Sequence, residues 1–355
     1  MSDRLATIRR LTAEHGADAA LVTFLPDVRW AVGFTGSNGL LVVGPNAAHF
    51  LTDGRYTAQA AAEVESAKVH VPDSNLVEHV EREGLLGDAS TVLVQGDHVT
   101  VAQWESFRTR FPATMFESVS GLLREVVASK TEEEIEAIRR AQAVTEEVFD
   151  AILPLIGPGV SEQDLAAEIV YQHLKRGASV MAFEPIVGSG PNGALPHARA
   201  SSRTFRPGDL VVIDMGCVLD GYASDMTRTV AVGEPGEAAR KAYAVVLEAQ
   251  ERATEAVRAG ASGKAVDGVA RGIIEGAGLG EHFSHGLGHG VGLQVHEWPR
   301  LSHRADDTLP ENAVVTVEPG VYLPERFGVR IEDLVVARAD GPEVLTRTPK
   351  ALLTL

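Results

Sequence analysis

The sequence predicts two domains, an α/β domain over residues 1–127 and an α+β domain over residues 128–355. Three observations lead there. A chain of 355 residues is long for one core and comfortable for two. Its first third alternates short apolar runs with amphipathic stretches, as strands and helices do. Beyond a capped helix start at Thr131 the rhythm changes to helices interleaved with hairpins, which fits helices packed on one face of an antiparallel sheet.

In the first domain the strand candidates are "AALVTF", "GLLVVG", "AHFLTD" and "TVLVQG", with "YTAQAAAEVES" and "VAQWESFRTRF" as helices between them. "TDGRYTAQA" reads as a strand end, a turn at Asp53-Gly54 and a helix. The boundary falls in "VVASKTEEEIEAIRRAQAV". There Thr131 and Glu134 have capping-box spacing, and Glu132 to Glu134 place acid at the positive end of a helix dipole. A long helix is predicted over 131–155, and Ser161 with Asp164 announces a second over "EQDLAAEIVYQHLKRG". "DLVVIDMG" and "YASDMTRTVAVG" read as strands, helices follow at 236–258 and 264–278, and "NAVVTVEPG" and "GVRIEDLVVA" close the series as strands.

The composition is that of a globular protein, 45% hydrophobic and 23% charged, so neither a disulfide nor a structural metal is required merely to fold. The single cysteine, Cys217, excludes an internal disulfide framework and suits a reducing compartment. The N-terminus lacks the pattern of a signal peptide, and no run approaches the ~20 apolar residues of a membrane span. A cytoplasmic protein without membrane partners is expected. The net charge of −17 repels phosphate backbones, and no basic cluster offsets it, so nucleic acid is not an expected partner.

The chemistry concentrates in "FSHGLGHGVGLQVHEWP", which holds His285, His289 and His296 among glycines and aliphatics. A helix with His285 and His289 one turn apart is disfavoured, because each of Gly286, Gly288, Gly290 and Gly292 costs about 1 kcal/mol in a helix interior. Glycine instead lets backbone pass close to something. One histidine alone would read as core or surface; three in this setting read as a site.

Carboxylates repeat the anomaly. Asp214 closes a Val-Val-Ile run, where an unpaired charge is expensive. With Asp220-Gly221 as a two-residue hairpin turn, residue 216 pairs with 225, and Asp214 and Asp225 point to one side. Glu318 ends "AVVTV", and Glu332 lies inside "GVRIEDLVV" with Arg330 on its face and Ile331 on the other. Glu297, Glu311 and Asp333 lack this apolar setting and are expected at the surface, Asp220 in its turn and Cys217 buried. The remaining histidines (His15, His49, His70, His79, His98, His173, His282 and His303) have no motif around them and are expected to be structural or exposed. Two divalent ions would supply four positive charges against the four carboxylates. Oxygen-rich ligation with one imidazole suits Mn²⁺ or a similar ion better than structural zinc. Two metals ~3.5–4 Å apart can deprotonate a water and polarise a carbonyl together, so hydrolysis is expected.

In the order Asp, Asp, His, Glu, Glu, the C-terminal portion resembles the pita-bread metallopeptidases: aminopeptidase P, prolidase and methionine aminopeptidase. The resemblance is carried by "IDMGCVLDGYASDMTRT", "HGLGHGVGLQVHE", "VEPGVYLP", "GVRIEDLVV" and, upstream, "GPNGALPHARAS" and "KTEEEIEAIRRAQ". "WAVGFTGSNGLLVV" and "LTDGRY" resemble the creatinase-type N-terminal domain of the proline-specific members. Gln294 and Met215 depart from the common motifs without touching a ligand position. With all five ligand positions filled, creatinase itself, where ligation is lost, is disfavoured.

The resemblance implies that Asp225, His289, Glu318 and Glu332 hold one metal and Asp214, Asp225 and Glu332 the other, with Mn²⁺ first and Co²⁺ or Zn²⁺ as alternatives. Glu318 would also shuttle the proton of the attacking water. His197 and His296 would orient the scissile carbonyl and stabilise the oxyanion, His285 would line the proline pocket, and Arg330 would support the cluster and the substrate side of the site. Trp30 is either core or a contact to a neighbouring subunit's site, and a homodimer is expected. The activity implied is that of an Xaa-Pro aminopeptidase acting on peptides with proline second. Prolidase, restricted to Xaa-Pro dipeptides, is the alternative, and a silent peptide-binding module the remoter one.

Overall fold

The apolar runs of the first domain form one six-stranded mixed sheet. Its order is Lys68–His70, Ala48–Leu51, Leu40–Val43, Ala19–Val22, Thr91–Gln95, Met115–Val119. The four expected strands are the inner ones, apolar and buried on both faces except at His49, Thr91 and Gln95. The two edge strands, "KVH" and "MFESV", were not predicted; half-polar and half-exposed, they carry no period-two signal. The Asp53 carboxylate caps the turn that follows its strand, accepting from the Arg55 amide at 3.1 Å, and the helix Thr57–Glu63 then begins. Trp30 packs as core within this unit.

The computed structural model describes residues 4–355, which separate into two units between Val127 and Ala128. In the second, the helix Glu132–Ile152 opens on a complete capping box: the Thr131 hydroxyl accepts from the Glu134 amide, and the Glu134 carboxylate accepts from the Thr131 amide. The helix Glu162–Lys175 repeats the device with Ser161 and Asp164. Val148, Phe149, Ile152, Leu165 and Ile169 of this pair pack on Val211, Ile213 and Met215 of the strand Leu210–Met215 and on Met226 and Val230 of Met226–Ala231. The helices Glu237–Ala256 and Gly263–Gly276 cover Val315, Val317, Val329 and Val335 in the same way. Period-two alternation then sends the intervening residues, Asp214, Thr227, Thr316 and Glu318, to the opposite face.

The hairpin register holds as expected. Val218 pairs with Ala223 around the Asp220-Gly221 turn (φ 50° and 81°), and Asp214 pairs with Thr227. Between these pairs the ladder breaks. Gly216 and Asp225, expected to pair, lie outside the strands, and Cys217–Leu219 and Leu210–Met215 belong to different sheets. A Cβ on Gly216 would fall 2.0 Å from the Ser224 carbonyl oxygen. "GVRIEDLVVA" is not one strand: Phe327–Arg330 and Asp333–Arg338 belong to different sheets, and Ile331-Glu332 makes the crossing. Two surface assignments were wrong. Asp333 is 1% exposed, bonded to Arg228 and Gln250 and paired with Lys350. Glu297 is paired with the buried Lys130 at 2.9 Å. Each partner is distant in sequence, so local composition carried no sign of it. Glu311 and Asp220 are exposed, and Cys217 and His173 are buried.

Candidate metal centre

Asp225, His289 and Glu332 each offer a ligand atom within 4.8 Å of the others. Glu318 joins them, its Oε1 lying 3.4 Å from His289 Nε2, with Asp225 Oδ2 at 3.7 Å from the same nitrogen. Asp214 is close enough for its charge to act on Asp225, Glu318 and Glu332. The five residues expected as ligands are thus brought together from a β-hairpin, a glycine-rich strand (Gly288–Gly290), a strand end and a sheet crossing.

The donor set fits divalent cations. His289 Nδ1 donates to the Gly290 carbonyl at 3.1 Å, which leaves Nε2 as a lone pair aimed at two carboxylates. Three acceptors facing one another without a donor are repulsive unless a cation lies between them. Asp214 Oδ1 is buried and has no hydrogen-bond partner among the described residues, whereas Oδ2 takes Arg330 at 2.5 Å. In the absence of a cation, protons must neutralise the cluster. Burial, then the neighbouring carboxylates, push Asp225 and Glu332 well above the usual carboxylate range, and burial raises Glu318. Burial also lowers His289, keeping its imidazole neutral and available as a ligand.

Hydroxyls and one guanidinium hold these groups in place. Thr227 Oγ1 donates to Glu332 at 2.7 Å and accepts from Arg330 Nε at 3.1 Å. Thr316 Oγ1 donates to Glu318 at 3.1 Å and accepts from the His289 amide. Arg330 is 3% exposed, and its remaining nitrogen, Nη1, donates to both the Pro196 carbonyl and the Tyr322 hydroxyl. It therefore faces the cluster rather than open space, and burial of its charge is offset by Tyr322, Asp214, Glu318 and Glu332, which hold its pKa well above normal. Tyr322, raised to about 12 by burial, accepts from Arg330 at 2.7 Å and donates to His285 Nε2 at 2.9 Å. His197 and His296 are exposed; the charge of His197 acts on both His285 and His296, and the His296 ring lies 4.4 Å from that of His289. Burial and His289 lower His296.

Sequence reasoning missed Thr227, Thr316, Tyr322 and Arg300. The first two lie two residues from a candidate ligand, Asp225 or Glu318, a spacing that could have singled them out. Arg300 is exposed, is paired across the strands from His289, and its charge bears on His289 and His296.

Residues 136–339 match the profile of metallopeptidase family M24, and residues 4–126 match the creatinase/prolidase N-terminal domain. The chain belongs to metallopeptidase family M24. It is 35% identical to the Xaa-Pro dipeptidase of Pyrococcus furiosus, over 99% of this chain and 100% of the relative. Among solved structures it is similar to the Xaa-Pro dipeptidase from Bacillus anthracis, with a TM-score of 0.96, 36% identity and 99% of each chain covered. It is also similar to the X-Pro aminopeptidase from Thermotoga maritima, with a TM-score of 0.91 and 36% identity, over 98% of this chain and 100% of that one. The M24 catalytic domain is of the pita-bread type and is preceded by a creatinase-type domain, as the resemblance implied. The chain is a metallopeptidase, and no described helix is long and apolar enough to cross a membrane.

Proposed function

We propose that this M24 member hydrolyses the bond preceding proline and that its substrate is the Xaa-Pro dipeptide, rather than the longer peptides of the aminopeptidase expected from sequence. The reading is carried by the near full-length match to proteins named Xaa-Pro dipeptidase, and is supported by the cluster of Asp225, His289 and Glu332. Arg300 gives it a physical basis. An exposed guanidinium beside His289 and His296 suits the free carboxylate of a dipeptide, which a longer peptide does not present there.

Asp225, His289, Glu318 and Glu332 would hold one divalent ion and Asp214, Asp225 and Glu332 a second, with Mn²⁺ the first candidate. Bound there, such ions activate water and polarise the scissile carbonyl. Glu318 accepts the proton of the attacking water and passes it to the proline nitrogen as the bond breaks. His197 and His296 orient the carbonyl and donate to the oxygen on which charge develops. His285, held by Tyr322 and by the Gly286 carbonyl at 2.7 Å, lines the proline side.

A second reading, Xaa-Pro aminopeptidase, is favoured by the likeness to the Thermotoga maritima structure. Product analysis with Mn²⁺ separates the two, comparing an Xaa-Pro dipeptide with an Xaa-Pro-Xaa tripeptide, each with and without chelator. Chelator-sensitive cleavage confined to the dipeptide is expected. The Arg300→Ala variant should raise the dipeptide KM about 10-fold or more, the scale of one charge-assisted hydrogen bond. Equal cleavage of the tripeptide establishes the aminopeptidase reading, and cleavage of neither, with metal bound, overturns proline specificity.

A further inference from the structure

Glu162 is the first residue of the helix Glu162–Lys175, and its side chain is fully buried. A glutamate at a helix start ordinarily points to solvent near the dipole; this one turns inward and gathers donors from a single loop. Its Oε1 accepts from the Ser189 amide at 2.8 Å and the Ser189 hydroxyl at 2.6 Å. Its Oε2 accepts from the Ser201 amide at 3.0 Å and the Ser201 hydroxyl at 2.6 Å. Asn192 Nδ2 reaches both oxygens, at 3.2 and 2.9 Å. One carboxylate therefore ties the first residue, an early turn and the last residue of the segment 189–201. Arg203 reinforces the arrangement, donating to the Ser189 hydroxyl at 2.6 Å while paired with Asp209.

The segment so closed carries His197. It is tied once more, where Arg330 donates to the Pro196 carbonyl at 3.1 Å, and Arg330 also grips Asp214. His197 itself is exposed, so its position depends on the loop rather than on packing of its own ring. We propose that Glu162 is a positioning residue for His197: a buried carboxylate whose hydrogen bonds close the 189–201 loop and set where the imidazole meets the substrate. This rests on the substrate-facing role assigned to His197 above.

In the Glu162→Gln variant, one carboxylate oxygen becomes an amide nitrogen facing donors of Ser189 or Ser201, and that arm of the loop opens. With the Mn²⁺-loaded enzyme and the proline substrate it cleaves, kcat should fall about 10- to 100-fold, the scale of a displaced reacting group. Amide exchange over residues 190–199 should accelerate, and Mn²⁺ affinity should stay at the wild-type value. The deciding measurement is the cycle with His197→Ala. If Glu162 acts through His197, the double variant is no slower than His197→Ala alone. Ser201→Ala, which removes one hydroxyl and leaves the amide, is the milder second variant; it should lose activity about 3-fold or more, and again only when His197 is present. Losses that multiply in the double variant, or wild-type kcat in Glu162→Gln, overturn the proposal. Wild-type activity in His197→Ala instead overturns the role given to His197, and the positioning proposal falls with it.

Discussion

Glu318 is the ligand candidate with the most complete case for handling a proton. Thr316 donates to it at 3.1 Å, the lone pair of His289 faces it at 3.4 Å, and without a cation burial raises its pKa. Glu318→Gln keeps shape and one ligand oxygen while removing the proton acceptor. It is expected to lower kcat by about 10²- to 10⁴-fold, the usual range for positioned acid–base groups. Calorimetric titration with Mn²⁺ must show that metal still binds; near wild-type kcat would remove Glu318 from the proton transfer. The candidate ligands were legible because each is a carboxylate or imidazole in an apolar run, and because the Asp220-Gly221 turn fixes which side Asp214 and Asp225 face. The residues that hold them were not. Thr227 bonds to Glu332 and Tyr322 to His285 across long stretches of chain, and a threonine or tyrosine in a strand looks like ordinary β sequence.

At the level of elements, the glycines around His289 are explained by close backbone approach. A Cβ on Gly288 would fall 2.0 Å from the Thr316 carbonyl oxygen, and one on Gly290 would fall 2.4 Å from that of Trp298. The strand Gly288–Gly290 is thereby clamped between neighbours, as its composition suggested. A different element-scale feature escaped sequence reading: His49, His70 and His79, from two adjacent strands and a helix, form one directed chain. Arg82 donates to His79 Nδ1 at 2.8 Å, His79 Nε2 donates to His70 Nδ1 at 3.3 Å, and His70 Nε2 donates to His49 Nδ1 at 3.0 Å. The chain closes only with neutral rings. Burial, with Lys68 adding repulsion, lowers His49; burial, then the other two histidines and Lys68, lowers His70, with Glu83 opposing. Below about pH 6.5 the unfolded chain therefore takes up protons that the folded chain excludes, so stability present at neutral pH is lost on acidification. Denaturant midpoints measured at about pH 7.5 and 5.5 should fall, and fall less steeply in a His70→Gln variant. Equal pH slopes in the two proteins would mean that the chain is not acid-sensitive.

For the whole molecule, the acidic balance and the buried carboxylates make cation binding a folding term as well as a catalytic one. Cations that bind only the folded state stabilise it by RT ln(1 + [L]/Kd), about 2.7 kcal/mol at a hundred times Kd. That gain belongs where the candidate ligands are. Asp214, Asp225, His289, Glu318 and Glu332 all lie in the unit that begins at Ala128, and none comes from the unit ending at Val127. Within it they join separate strands: Leu210–Met215, Gly288–Gly290, the end of Val314–Val317 and the crossing after Phe327–Arg330. Bridging them should suppress local opening of all four stretches together, because a ligand displaced from any one breaks the shared centre. Hydrogen exchange with Mn²⁺ against chelator is therefore expected to show protection rising over residues 210–231, 286–300 and 314–338, with little change over 4–126. Protection confined to a single stretch would mean that one carboxylate cluster binds cation adventitiously. Protection across all three, at concentrations that also restore peptide cleavage, would tie the fold's stability and its chemistry to one centre.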